Sequence, residues 1–226
     1  MPETGAGPGR PAPPQGQGDP AASTPAALAA GADTLDALAE AMRGYDGSDL
    51  KAGAKNFCFA DGNPAARLMV IGEAPGAEED RAGKPFVGRA GRLLDLMLGA
   101  IDLDRYAEDP EKSAYITNLL PWRPPGNRTP STAEARMYLP FLERHIALKA
   151  PRAILCLGNP ATQALLATST GIKRMRGHWV RHGATGIPLL PSFHPAYLLR
   201  QPADKRLTWR DLLSVRAVLD GEEPGL

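Results

Sequence analysis

His194 stands in SFHPAYLL, where Pro195 fixes the backbone step that follows it and stiffens the turn. A neutral imidazole held there could donate a hydrogen bond to negative charge developing on a leaving group in a dry pocket, although a lone histidine reads equally well as a structural side chain. Asn118, in AYITNLL, carries one acceptor and two donors in a single plane. Such an amide can tie up its own loop. It can also read a pyrimidine edge that offers N–H beside C=O, which an aminopyrimidine reverses. Phe86, in KPFVG, sits among Gly and Pro rather than on a helical stripe, so it is either a core plug or a flat face for a ring.

The stretch GEAPGAEED joins Gly72 and Gly76, which supply backbone freedom, and Pro75, which supplies rigidity, to the acids Glu78, Glu79 and Asp80. By residue type those acids read as a solvated face. They would repel a phosphate, and no Walker-type Lys-Ser/Thr ending follows, so the loop suits a neutral group. Cations recur nearby in sequence order: Arg89 and Arg92, Arg123 and Arg128, then Arg200, Lys205 and Arg206. Each alone is an ordinary surface charge; gathered at one rim they would follow a phosphate backbone. Tyr197, Leu198 and Leu199 read as core, or as a rim wedge for a base stack.

Elements that could bring these residues together are legible as four short apolar runs, RLMVIG, AYITNLL, AILCLG and IPLLPSF, of a length suited to buried parallel strands. Helical patterns alternate with them: RAGRLLDLMLGAI, STAEARMYLPFLERHIALKA with its Ser/Thr start and Glu134, PATQALLA and DKRLTWRDLLSVRAVLD. The alternation predicts an α/β fold, a three-layer α/β/α sandwich with a central four-stranded parallel sheet. GEAPG, Asn118, GNP and SFHP then all fall at carboxyl ends of strands, where open α/β sheets form their ligand crevice.

The 226-residue chain, 43% apolar, can bury one core. Residues 1–32, rich in Pro, Ala and Gly, are expected to be a disordered tail, 33–220 the domain and 221–226 a flexible end. Asp33-Thr34 supplies helix-start chemistry before Leu35, Leu38, Ala39 and Met42 recur at helical spacing. A net charge of +1 neither demands nor excludes a polyanion partner, so any nucleic-acid contact must come from local clusters. No run is long enough to span a membrane and no signal peptide opens the chain, which points to a cytoplasmic protein. Cys58 and Cys156 lie far apart in apolar surroundings and read as reduced, buried thiols.

Together GEAPGAEEDRAGKPFVGRAGRLLD, YITNLLPWRPPGNRTP and SFHPAYLLR resemble the family 4 uracil-DNA glycosylases of the uracil-DNA glycosylase superfamily, over roughly Leu35 to Val218. The resemblance implies that uracil is flipped out of DNA and its N-glycosidic bond hydrolysed, initiating base-excision repair. Carried over by position, Glu73 and His194 would be catalytic. Glu73 would organise the attacking water, and His194 would contact the O2 side of the leaving base. Gly72, Phe86 and Asn118 would bind uracil, and Arg89, Arg123, Arg128, Ser192, Leu198 and Arg200 would contact DNA. The partner is uracil-containing DNA, single- or double-stranded, and the protein is expected to be a monomer.

This sequence departs from the pattern at several places. Ala74 stands where family 1 enzymes place a catalytic Asp. Family 4 members typically hold a [4Fe–4S] cluster on four thiolates, and here those positions align with Tyr45, Ser48, Trp122 and Tyr138, so no cluster and no metal is expected. The loop PPGNRTPS lacks the histidine with which a related branch crosslinks to DNA. No lysine falls at a pocket position, which disfavours strand cleavage through a Schiff base. Two alternatives stay open: a uracil-DNA-binding protein without turnover, and a nucleoside or nucleotide hydrolase.

Overall fold

The computed structural model describes residues 24–226, so most of the expected tail lies outside the described residues. Three helices lead in: α1 (Pro25–Ala30), α2 (Leu35–Gly44) and the single turn α3 (Leu50–Gly53). Strands β1 (Ala60–Gly62) and β2 (Leu68–Gly72), helices α4 (Ala77–Ala82) and α5 (Arg89–Gly99), and β3 (Ala114–Asn118) follow. The second half runs α6 (Thr132–Lys149), β4 (Ala153–Leu157), α7 (Asn159–Leu165), α8 (Ile172–Met175), β5 (Val180–Arg181), β6 (Pro188–Ser192), α9 (Pro195–Arg200) and α10 (Lys205–Asp220).

Among the described residues the sheet has six strands, in the order β1-β3-β2-β4-β6-β5. Its centre is the expected parallel set, β3, β2, β4 and β6, while β1 and β5 add antiparallel edges. Those edges are three and two residues long, too short to leave a periodic signal in the sequence.

Because side chains alternate across a strand, β2 sends Met69 and Ile71 to one face and Leu68 and Val70 to the other. The first face packs on α1, α2, α6 and α7 through Leu38, Met42, Phe141 and Leu165. The second packs on α5, α9 and α10 through Leu94, Leu98, Leu198, Leu212 and Val215. The start of α6 closes as a capping box: the Glu134 amide donates to Ser131 Oγ at 3.2 Å and the Ser131 amide donates back to Glu134 Oε2 at 2.7 Å.

One boundary differs from the sequence reading. Helix α1 lies inside the stretch assigned to the tail, with Ala29 and Ala32 buried in the core. Small side chains let this helix approach α6 closely, so it packs without the branched residues whose absence suggested disorder. No helix among the described residues is long and apolar enough to cross a membrane.

Candidate active site

β3 and β4 lie on opposite sides of β2, so the strand order reverses at β2 and a crevice opens at the carboxyl ends. The turns after β2, β3 and β6 meet there. A cleft of about 310 Å³ is lined by Glu73, Gly76, Arg128, Thr129, His194 and Arg200, among others. Leu119 and Leu120 donate their amides to the carbonyls of Gly72 and Glu73 at 2.9 and 3.1 Å, zipping the turn after β2 to the strand exit that carries Asn118.

Gly72, Phe86 and Asn118 converge, with the Phe86 ring against His194 of the cleft lining. A Cβ added to Gly72 would come within 2.4 Å of Phe86 Cζ and 2.5 Å of Asn118 Oδ1, so only glycine leaves room for both. Asn118 is 5% exposed, and its Oδ1 is buried without a hydrogen-bond partner in the protein. An acceptor left that way costs about 1–3 kcal/mol, and its place beside Gly72 and Phe86 suits it to a donor from a bound ring.

Phe86 has φ +54°, a left-handed conformation uncommon for a large side chain. Glu79 holds it there. Its Oε1 accepts from the amides of Val87 (3.0 Å) and Gly88 (2.8 Å), while Oε2 accepts from Gly76 at 3.1 Å. One carboxylate thus staples the turn after β2 to the turn before α5. Gly91 completes the fit, because a Cβ there would overlap the Phe86 carbonyl oxygen at 1.8 Å. Asp80, 2% exposed, accepts from the amides of Lys55 (2.7 Å) and Asn56 (3.1 Å). Two of the three acids that read as a solvated face are therefore structural ties. The Gly76-to-Glu79 spacing, that of a capping box, was the signal that could have exposed Glu79.

The Phe86 and His194 rings stack at 5.3 Å between centroids and 28° between planes. His194 caps α9, its Nδ1 accepting from the Ala196 amide at 3.1 Å, which puts the proton on Nε2. Burial, reinforced by the Arg200 charge, pushes its pKa down to about 4, so the ring is a neutral N–H donor at physiological pH. Glu73 is half-buried, and that burial raises its pKa above the usual 4.5 against an opposing hydrogen bond from Thr129. Thr129 was not singled out from the sequence.

The expected DNA-contacting residues divide. Arg128 and Arg200 line the cleft, although both oxygens of Glu134 engage Arg128, at 2.8 and 2.7 Å. Arg89 is exposed at the start of α5, and Arg123 Nε donates to Asn127 Oδ1 at 2.7 Å. Ser192 and Leu198 do not reach the rim. Ser192 is fully buried, its hydroxyl donating to Asp211 at 2.6 Å, and Leu198 is fully buried in the core beneath α9. The turn of α9 instead exposes Leu199 and leaves Tyr197 lining the cleft.

The cysteine-equivalent positions form an aromatic patch. Tyr138 is fully buried, edge-on to Tyr45 at 6.2 Å with its hydroxyl toward Ser48, and Trp122 packs on Phe57 at 5.0 Å. These side chains offer no thiolate and fill the space by ring packing, so they do not fit a four-thiolate cluster. Tyr138→Ala should cost about 3–5 kcal/mol in urea unfolding through the cavity it leaves, with and without an iron chelator alike. A stability loss that appears only with chelator would contradict this. Cys58 and Cys156 are both buried, and burial pushes both thiols up to about 12, so they stay protonated.

A model of the uracil DNA glycosylase superfamily matches residues 59–213. The chain is 35% identical to a type-4 uracil-DNA glycosylase of Pyrobaculum aerophilum over 184 residues, covering 79% of this chain and 91% of that protein. A second, from Saccharolobus solfataricus, is 35% identical over 84% of this chain and 88% of its own. A third, from Thermotoga maritima, is 31% identical over 84% of this chain and 97% of its own.

Proposed function

We propose, on the premise that the chain belongs to the uracil-DNA glycosylase superfamily, that it hydrolyses uracil from DNA as a monofunctional glycosylase. The observation that carries the reading is the buried, unpartnered Oδ1 of Asn118 beside Gly72 and the Phe86 ring. A flipped uracil would donate N3–H to that oxygen, and cytosine, with an acceptor at N3, would leave it unmatched. Phe86 would offer its face to the base. As the bond between C1′ and N1 breaks, its electron pair passes into the uracil ring, and the neutral His194 Nε2–H stabilises the anion at O2. Glu73, ionised above its raised pKa, offsets positive charge on the sugar and orients the water whose oxygen joins C1′; the water's proton passes to solvent, and the released uracil anion takes one up. Ala74 gives no second carboxylate, so most of the chemistry is charge stabilisation rather than strong general-base catalysis.

Arg89, Arg128 and Arg200 would track the phosphates around the cleft. The reading includes a cytoplasmic monomer that works without a cluster on single- or double-stranded DNA.

A labelled oligonucleotide with one deoxyuridine, incubated in chelator and then treated with hot alkali, should break at the uracil. Asn118→Asp should lower the preference for uracil over cytosine by at least about tenfold, because the amide N–H that matches uracil O4 is replaced by an oxygen that can accept from the cytosine amine. Intact DNA with binding retained would favour a binding protein without turnover. An unchanged preference in the Asn118 variant would remove the proposed reader.

A further inference from the structure

On the face of the molecule formed by α5 and α10, outside the lining of the cleft, three large apolar side chains stand in solvent. Leu96 is 72% exposed, Trp209 42% and Leu213 46%. A groove of about 210 Å³ runs between the two helices, walled by Leu96 and Trp209 and floored by Met97 and Leu212. Singly exposed leucines need no explanation, but Leu96 and Trp209 lining one groove, with Leu213 exposed one turn beyond Trp209, do.

Cations outnumber acids around the groove. Arg206, Trp209, Arg210 and Leu213 fall at i, i+3, i+4 and i+7, a single exposed stripe of α10. Arg92 lies one turn before Leu96 on α5, and Lys205 lines the groove itself. Among the described residues none of these four cations forms an ion pair. The nearby acids are already engaged: Asp95 pairs with Arg105 at 2.6 Å, Asp204 accepts from the Tyr197 hydroxyl at 2.6 Å, and Asp211 is buried against Arg176 and Ser192.

An apolar slot whose unpaired rim charges are basic is complementary to a peptide whose apolar side chains are flanked by Asp and Glu. We propose that this groove is a docking site for an acidic, apolar-anchored segment of another protein. The apolar side chains would seat between Leu96 and Trp209, and the rim cations would meet the flanking carboxylates. A nucleic-acid strand fits less well. It would need flat faces repeated along the charges, and here one indole stands among leucines. A second copy of this chain is disfavoured too, since the basic rim would face itself.

Random dodecapeptides displayed on phage would be selected on the immobilised full chain and counter-selected on Leu96→Glu protein. The enriched peptides should carry Leu, Ile or Phe flanked by Asp and Glu. Their binding should weaken at least about tenfold in Trp209→Ser and in Arg206→Ala/Arg210→Ala proteins, and should fall with added salt. Uracil excision by the Leu96 and Trp209 variants should match the wild type, since both positions lie outside the cleft.

Enrichment of no peptide, or of peptides without that pattern, would overturn the proposal. So would binding that survives Leu96→Glu. Loss of oligonucleotide binding in the arginine variants, with peptides displaced by undamaged duplex, would assign the face to DNA instead. Concentration-dependent dimerisation abolished by Leu96→Glu would assign it to self-association.

Discussion

Replacing His194 with alanine should slow uracil excision about 10²–10³-fold, the range seen when one preorganised donor to a developing anion is removed. The size of the effect follows from protonation as much as position. With its pKa held at about 4, the ring does not lose charge through the neutral range, so the donor is present from mildly acid to alkaline pH. The acid limb of the rate profile should therefore belong to Glu73. Its pKa lies above 4.5, the carboxylate is the useful form, and activity is lost as pH falls through that raised value. Glu73→Gln should remove this limb while lowering the plateau. A limb that persists unchanged in the Gln variant would assign it to another group.

The same depressed histidines tie stability to pH. His194 and the fully buried His145, lowered to about 3, bind fewer protons folded than unfolded, where the value is 6.5. Their contribution is fully present above 6.5 and is lost as pH falls from there toward the folded values. Activity and folding should thus fail together on the acid side, and unfolding measured at each pH separates the two.

Gly72→Val should be nearly as damaging as loss of the histidine. The first added carbon already lies 2.4 Å from Phe86 and 2.5 Å from Asn118 Oδ1, and valine adds two methyl groups beyond it. Either the ring or the amide must move. A displacement of about 1 Å in a positioned group can cost about 10²-fold in rate. We expect a loss of that order in kcat/KM for uracil DNA, with about 1–3 kcal/mol of overpacking in stability. Wild-type kcat/KM in the Val variant would mean that uracil does not sit against this glycine.

Much of this arrangement could be read from sequence because it lies on strand ends. Gly72, Asn118 and His194 each follow or close an apolar run, and a parallel sheet places such ends on one side. What could not be read is set by side-chain direction and partnership. Leu198 and Leu199 are adjacent and identical in type, yet α9 turns one into the core and the other to solvent. Ser192 ends a strand like Asn118, but its partner Asp211 comes from α10, about twenty residues on. Glu79 and Asp80 looked like solvated acids because their partners are backbone amides, which no composition reveals. The antiparallel edges, β1 and β5, carry too few residues to show a period at all.

An acceptor that stays buried without a protein partner, as Asn118 Oδ1 does, gains when any imide N–H meets it. The excised base still has the N3–H that its nucleotide presented. Because Glu79 keeps Phe86 fixed beforehand, recapturing the free base costs little ordering entropy. Product inhibition by free uracil, beyond any by abasic DNA, is the kinetic signature to expect, with turnover slowing as the released base accumulates.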